Sequence, residues 1–312
     1  MARIPFLSVA AEGWQLASRA FANERKNYRV WQQWRSFLSA LISRKLASDW
    51  FEILKSPHFL QITANRPRLY FKPFRVYISI RWNARQRIKV IFDTYRFIMS
   101  KGEAFMQVIT RSNGIEIAHL KLNDTTEGFL RLGYDERYRK EGELVLSFAC
   151  DQLGGTIVAA AFSFEEIEPG HWVCRIGCIQ GHAKNEEYHT KAAQKLMHGL
   201  RPKSLLVFTI QELSRQLGFT SVYAVGDTIQ AYRRKHTIHI QRRHAIQFDY
   251  NAFWNESGGK PGKDGWYELP LTPVRRDIHE IKTTKRALYQ RRYKLLDDLS
   301  LQISDAVKKI AL

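Results

Sequence analysis

The chain has 312 residues, enough for one large domain or two modest ones at roughly 150 residues per domain. Apolar residues make up 45% and charged residues 25%, which excludes an intrinsically disordered chain. The net charge of +19 is uneven, because residues 1–100 carry 18 basic and five acidic side chains while residues 101–170 carry seven and 12. This asymmetry favours an anionic partner, such as nucleic acid, anionic lipid headgroups or phosphorylated cofactors; the alternative is a solvated surface that keeps the protein soluble.

The cysteine content and the apolar runs indicate where the protein resides. Cys150, Cys174 and Cys178 are odd in number and form no disulfide framework, which predicts a reducing compartment. The first 14 residues lack the long apolar core and the processing site of a signal peptide. The longest apolar runs are far below the roughly 20 residues that span a bilayer. We therefore expect a cytoplasmic protein, not transmembrane, that could lie at the periphery of the inner membrane.

Residues 1–102 are expected to form a basic helical region. Apolar residues recur every three or four positions and predict a helix over 24–56, with a stripe interpreted as core packing rather than a ligand site: Trp31, Trp34, Leu38, Leu41 and Ile42. Three prolines then interrupt the chain, and residues 68–80 predict short extended segments. Asn83 is expected to cap a helix that continues to about Met99.

Residues 103–272 are expected to form a mixed core, and residues 273–312 an amphipathic helix over about 275–310. Alternating apolar residues between turn signals predict an antiparallel meander of six strands: Phe105–Thr110, Ile115–Leu122, Gly128–Tyr134, Leu144–Cys150, Thr156–Glu165 and Trp172–Gln180. Two helices (188–198 and 202–217) and a strand (220–225) follow. This crossover predicts that the last two strands are parallel. The whole pattern predicts an α+β fold with a mixed, mostly antiparallel sheet.

The loop at residues 199–204 is the best local candidate for an anion site. Gly199 precedes a helix that begins at Pro202, and the first turn of a helix offers free N–H groups to anions. Arg201 and Lys203 would add positive charge, and Ser204 a hydroxyl. The alternative is an ordinary helix connection with solvated cations. The sequence contains no Walker or dinucleotide-binding glycine pattern.

The end of the preceding strand, residues 175–181, is a second candidate, because its glycines permit a bulge or a close approach of backbone to a ligand. The alternative is a strand that simply turns into a loop. Cys174, Cys178 and His182 are spaced by four, but on a strand this spacing holds the sulfurs about 13 Å apart, so no metal is expected. The histidines at 236–244 lie among arginines and indicate a basic surface.

Four segments together resemble the VirK/YbjX family of Gram-negative bacteria: IGCIQG at 176–181, KAAQKLMHGLRPKSLL at 191–206, FDYNAFWNESGG at 248–259 and KRALYQRRYKLL at 285–296. The resemblance extends over roughly residues 25–300. It implies a cytoplasmic protein associated with virulence, with resistance to antimicrobial peptides and with adaptation to envelope stress. It implies neither a known reaction nor an established catalytic residue.

The predicted order of elements is also similar to the GNAT acyltransferase fold, so a GNAT-like sheet is expected. The analogy implies coenzyme A or acyl-CoA as donor, bound by Gly199, Arg201, Lys203 and Ser204. Backbone from Ile179 through Gln180 to Gly181 would polarise the acyl carbonyl, and Tyr232 would protonate the leaving thiolate. The glycine-rich pyrophosphate loop directly after the strand is missing, and an extra helix intervenes.

Two functional hypotheses follow. The first is acyl transfer to an amine, which a pocket lined by Gln180, Arg201, Lys203 and Tyr232 would favour. The second is a non-enzymatic basic protein that binds nucleic acid, in a stress or DNA-damage response, or the anionic membrane surface. A continuous basic face without such a pocket would favour the second.

Overall fold

The computed structural model describes residues 7–181, 187–233 and 248–311. They form two compact units, the first containing residues up to 77 together with 82–89, and the second containing residues 78–81 and those from 90 onward. The histidines predicted to form a basic surface at 236–244, and His182, lie outside the described residues. The fold class is α+β, as the sequence predicts.

The first unit is helical. It contains α1 (Ser8–Ala20), α2 (Lys26–Ile42), α3 (Arg44–Lys55), α4 (Pro57–Asn65) and the first residues of α5 (Ala84–Ser100). Trp50, Phe51 and Leu54 of α3 are fully buried in its core. Asn83 caps α5 as expected, because its Oδ1 accepts from the Gln86 N–H (3.0 Å) while the Gln86 side chain accepts from the Asn83 N–H (2.9 Å).

Two predictions for the first unit are wrong. Residues 67–74 form a 3₁₀ helix rather than extended segments, and this turn buries Leu69, Tyr70 and Phe71 where a strand would have pointed alternate side chains outward. The second error is the direction of the apolar stripe predicted between Trp31 and Ile42, which was expected to pack in the core. Although α2 is helical, most of its large apolar residues are exposed, Phe37 and Leu41 are half-buried, and its core-facing side carries polar and small residues.

The second unit contains an eight-stranded sheet in the order β1-β2-β3-β4-β5-β6-β8-β7. Its strands are β1 (Ile115–Lys121), β2 (Glu127–Gly133), β3 (Leu144–Cys150), β4 (Gly155–Glu168), β5 (His171–Gly181), β6 (Ser221–Val225), β7 (Lys260–Pro261) and β8 (Trp266–Leu269). β5 and β6 are parallel, as expected for a crossover, and the other neighbours are antiparallel. The sheet is therefore mixed and mostly antiparallel, as the sequence predicts.

Helices of the second unit are the remainder of α5, α6 (Glu103–Thr110), α7 (Glu187–Leu196), α8 (Pro202–Gln216), α9 (Tyr250–Glu256) and α10 (Thr283–Ala311). α8 packs on β3, β4 and β5, and α10 packs on α8 and β1. Because α8 lies between the sheet and another helix, all of its residues from Leu205 to Ser214 are buried. The 29 residues of α10 confirm the expected long C-terminal helix.

The first strand predicted for the meander, residues 105–110, is wrong, because this segment belongs to helix α6. Phe105, Val108 and Ile109 are spaced by three and one, which is a helical spacing, and all three are buried. Gly102, with φ of +85°, ends the previous helix and lets the chain restart at Glu103. The meander thus begins at β1.

Candidate functional site

The candidate site lies where β5 and β6 part. Their parallel pairing runs from Val173–Ser221 to Ile176–Ala224, whereas β5 continues to Gly181 alongside β4. A β-bulge interrupts the β4–β5 register between Ile176 and Cys178 and leaves Gly177 without an opposing residue. The glycines of this strand end therefore mark a real irregularity, as the sequence suggests.

A tight turn places Glu141 against this bulge. Its backbone lies so close to Gly177 that no Cβ could be accommodated there, and the next residue, Gly142, meets the backbone of Phe162 in the same way. The two glycines let residues 138–142 pack directly on β4 and β5. As a result, the Glu141 side chain is only 1% exposed.

The Glu141 carboxylate is held by two side chains of β5. Gln180 Nε2 donates to Glu141 Oε1 at 2.8 Å, and the Cys178 thiol donates to the same carboxylate. Burial nevertheless raises the pKa of Glu141 to about 8, because the charged form loses water that these bonds replace only in part. A carboxyl group with this pKa can exchange a proton near neutral pH.

Tyr232 lies beside this carboxylate. Its backbone N–H donates to Gln230 Oε1 at 2.7 Å, and Lys140 Nζ is 5.1 Å from the centroid of its ring. The pKa of Tyr232 is raised to about 12, first by burial and then by the charge of Glu141. Gln180, which was identified from the sequence, thus hydrogen-bonds to a carboxylate that the sequence did not single out, and Tyr232 lies within range of its charge.

Tyr250 of α9 occupies the gap next to Ile179. The Ile179 N–H donates to Tyr250 Oη at 3.3 Å, and that hydroxyl donates to the Ile179 carbonyl at 3.4 Å. Four residues further on, Trp254 Nε1 donates to the Val225 carbonyl of β6 at 2.8 Å. One short helix therefore satisfies backbone groups on both of the diverging strands, including the amide expected to polarise an acyl carbonyl.

A cavity of about 520 Å³ lies at the start of α8, and we call it the α8 cavity. Three of the residues identified from the sequence line it, Gly199, Arg201 and Ser204. They are joined by residues from α10 and the chain before it, among them Arg275, Arg276, Tyr289, Arg292 and Tyr293. Four arginines and one carboxylate, Glu256, thus face the same space. An excess of arginine suits an anionic ligand.

The charges in this cavity are partly paired. Arg201 donates to Glu256 at 2.5 Å, and both side chains are about half exposed. Arg292 donates twice to the carbonyl of His198, at 3.1 and 2.8 Å, which leaves its charge without a carboxylate. Gly199 has φ of +78° and carries no Cβ, so Arg292 can approach this turn closely.

Lys203 lies near the end of β5, whereas Arg201 lines the α8 cavity. Its Nζ lies 3.2 Å from the centroid of Phe248, and its Cε is a near neighbour of Gly181. Burial, followed by the charge of Arg201, lowers the pKa of Lys203 to about 8. The structure thus brings Lys203 to the end of β5 and Arg201 with Ser204 to the α8 cavity, so the predicted anion-binding residues are divided between two sides of the helix start.

Sequence reasoning missed Glu141, Cys178 as its partner, and Tyr250. The available signal was the Glu-Gly-Glu sequence at 141–143, whose two acidic residues follow a basic segment directly before an apolar strand. The three cysteines are free and buried. In the part of the chain that the structure describes, no group of three histidine, cysteine or acidic side chains is placed to hold a metal ion. Within the same residues, no helix combines the length and apolarity needed to cross a membrane.

Comparison with known proteins identifies the family. Residues 25–305 match the family described as "Protein of unknown function (DUF535)", and the chain belongs to that family. An uncharacterized protein of Escherichia coli, YbjX, is 29% identical over 86% of this chain and 81% of its own length. An uncharacterized protein of Haemophilus influenzae is 27% identical over 88% of both chains. No solved structure matches the chain.

Proposed function

We propose that the protein transfers an acyl group from a coenzyme A-type thioester to an amine. The observation that carries this proposal is the buried Glu141 carboxylate, held by Gln180 and Cys178 and adjoining Tyr232 where β5 and β6 diverge. Acyl transfer to an amine needs a base near neutral pH and an acid for the departing thiolate. Glu141 and Tyr232 supply groups of these two kinds, since burial raises the pKa of both and the charge of Glu141 raises the pKa of Tyr232 further.

In this reaction the amine nitrogen attacks the thioester carbonyl, a C–N bond forms and the C–S bond breaks. Glu141 takes the proton that the amine releases, and Tyr232 gives its phenolic proton to the thiolate. Gln180 fixes the orientation of the Glu141 carboxylate through the 2.8 Å hydrogen bond. Proton transfer from Glu141 to Tyr232 afterwards restores both residues.

The α8 cavity supports a donor that bears phosphate groups, because Arg201, Arg276 and Arg292 face it together with Ser204. The thioester end would lie against Ile179. Since the Ile179 N–H already donates to Tyr250, a donor carbonyl can accept that bond only after Tyr250 moves away. The proposal therefore includes a displacement of α9 when the donor binds.

Two experiments test the proposal. In thermal-shift measurements at two salt concentrations, acetyl-CoA and free coenzyme A should raise the melting temperature, with a smaller salt dependence than an oligonucleotide would show. Release of free thiol from acetyl-CoA with a polyamine acceptor should then rise with pH through about 8, as Glu141 loses its proton.

The variant Glu141→Gln should lower this rate by at least about 100-fold. The matched control Glu280→Gln, at an exposed position, should leave it unchanged. Salt-sensitive binding to an oligonucleotide, without any effect of the coenzyme, would instead support the non-enzymatic nucleic-acid-binding hypothesis. A role in virulence, in resistance to antimicrobial peptides and in envelope stress, and a cytoplasmic location, stay predictions from the family resemblance and from composition.

A further inference from the structure

Helix α2 carries its large apolar side chains on its exposed side. Trp31, Trp34, Leu38 and Ile42 are 55%, 53%, 49% and 83% exposed, and we call these four residues the α2 stripe. They follow one another at spacings of three, four and four, so they form one continuous line along the helix. Single exposed apolar residues are ordinary on a protein surface, but a continuous line with two tryptophans marks an interaction site.

The buried side of α2 packs on α1 through polar and small residues, and Trp34 of the stripe also contacts Trp14 of α1 with the ring centroids 5.1 Å apart. Gln33 Nε2 donates to Ser18 Oγ at 2.5 Å. A Cβ at Gly13 of α1 would lie 3.1 Å from the Ala40 Cβ and 3.3 Å from the Ser36 carbonyl, so the two helices approach each other very closely. Contact through small residues and side-chain hydrogen bonds is how helices pair inside lipid, where large apolar residues face outward.

The charges around the stripe are positive. α2 contains Lys26, Arg29 and Arg35 but no acidic residue, and Arg35 lies 5.2 Å from the ring centroid of Trp31. The first unit as a whole has 16 basic and four acidic side chains. Of these acidic groups, Glu12 pairs with Lys55 and Glu24 with Arg68. A surface that meets the α2 stripe therefore also meets the positive charges of α2, with no acidic residue on that helix.

We propose that the α2 stripe is a docking surface for an anionic lipid bilayer. The tryptophans would lie at the level of the headgroups, with Leu38 and Ile42 against the acyl chains and the neighbouring lysine and arginines on lipid phosphates. Nucleic acid would satisfy the charges and could stack on the tryptophans, but it offers nothing that removes Leu38 and Ile42 from water. The apolar end of the stripe therefore favours lipid.

The test is co-sedimentation of the full chain with vesicles of phosphatidylcholine alone or with about 30% phosphatidylglycerol. We expect binding to the anionic vesicles, weakened as salt is raised, together with a blue shift of tryptophan emission. The double variant Trp31→Gln/Ile42→Gln should reduce partitioning by about tenfold or more, because both side chains lose apolar contact with lipid. Leu301→Gln, at a 67% exposed position of α10, is the matched control and should bind as the parent does.

The single variant Ile42→Gln, at an 83% exposed position, tests whether any loss of binding is caused by misfolding. It should weaken binding while leaving the melting temperature unchanged. Equal binding of parent and stripe variants would overturn the proposal, as would no binding to anionic vesicles at all. It would also be overturned if the stripe variants lost affinity for an oligonucleotide rather than for vesicles. This proposal is independent of acyl transfer, since Glu141→Gln should leave vesicle binding intact.

Discussion

Gly177 and Glu141 meet backbone to backbone, and this contact leaves no room for a side chain at position 177. It holds the turn at 138–142 against the bulge of β5. The buried position of the Glu141 carboxylate therefore depends on a glycine 36 positions further along the chain. A glycine with this role can be tested against another glycine of the same strand.

The variant Gly177→Ala should lower the free energy of unfolding by about 3 kcal/mol or more, because the added Cβ forces the turn away from β5. Gly181→Ala is the matched control, since a Cβ there would have its nearest neighbours at an ordinary 3.9 Å. Urea denaturation of both variants measures the difference. Similar stabilities would contradict the close contact at Gly177.

The raised pKa of Glu141 predicts how stability depends on pH. The folded protein keeps a proton on Glu141 up to about pH 8, whereas the unfolded chain releases it near pH 4.5, so folding binds a proton between these values. The free energy of unfolding should therefore fall as pH rises from about 5 to 8, by about 1 kcal/mol per pH unit from this group. The parent-minus-variant difference for Glu141→Gln, followed by denaturation at several pH values, should show this slope; a difference independent of pH would refute the assignment.

Removing the hydroxyl of Tyr250 should expose the cost of unpaired backbone groups at Ile179. Tyr250→Phe leaves a buried N–H and a buried carbonyl without the partner that they share, so we expect a loss of about 1–3 kcal/mol in unfolding free energy. Tyr188→Phe, at a 76% exposed position, should have no effect. Under the proposed function, the same Tyr250→Phe variant should bind acetyl-CoA more tightly than the parent, which isothermal titration would measure.

The lowered pKa of Lys203 predicts that stability rises with pH, which is the opposite of the dependence expected from Glu141. Below about pH 8 the folded protein holds a charged ammonium that burial and Arg201 disfavour, while the unfolded chain holds it without that penalty up to about pH 10.5. Stability should thus rise between about pH 8 and 10.5, and Lys203→Met should gain about 1 kcal/mol at pH 7. Lys191→Met, at an exposed position, is the control. A destabilised Lys203→Met protein would show that the contact with Phe248 outweighs the burial of charge.

Many of the helices and strands were predictable, because the sequence patterns that define them extend over only a few neighbouring residues. The capping pair of Asn83 and Gln86 lies within one helical turn. A short apolar run of seven residues defines β3, whose bounds match the prediction, and the crossover requires β5 and β6 to be parallel. The eight-residue helix α6 was missed, because so short an apolar segment is compatible with the period of a helix and with that of a strand. Only the burial of Phe105, Val108 and Ile109 in the fold decides between the two.

Periodicity groups the residues that share one side of a helix, but it does not determine which way that side points. The sequence placed Trp31, Trp34, Leu38 and Ile42 on a single line, and only the packing of Ser36 and Ala40 against α1 turned that line outward. At the candidate site, too, the sequence pattern did not show which residues pack together, and there the residues in contact are further apart along the chain. Glu141 and Gln180 are 39 residues apart, and their contact requires the bulge at Gly177 to bring the turn onto β5. The sequence alone therefore determined most of the elements, their charge and the family. Tertiary packing decided which carboxylate is buried beside which side chains, because desolvation and hydrogen bonding depend on neighbours that are distant in the chain.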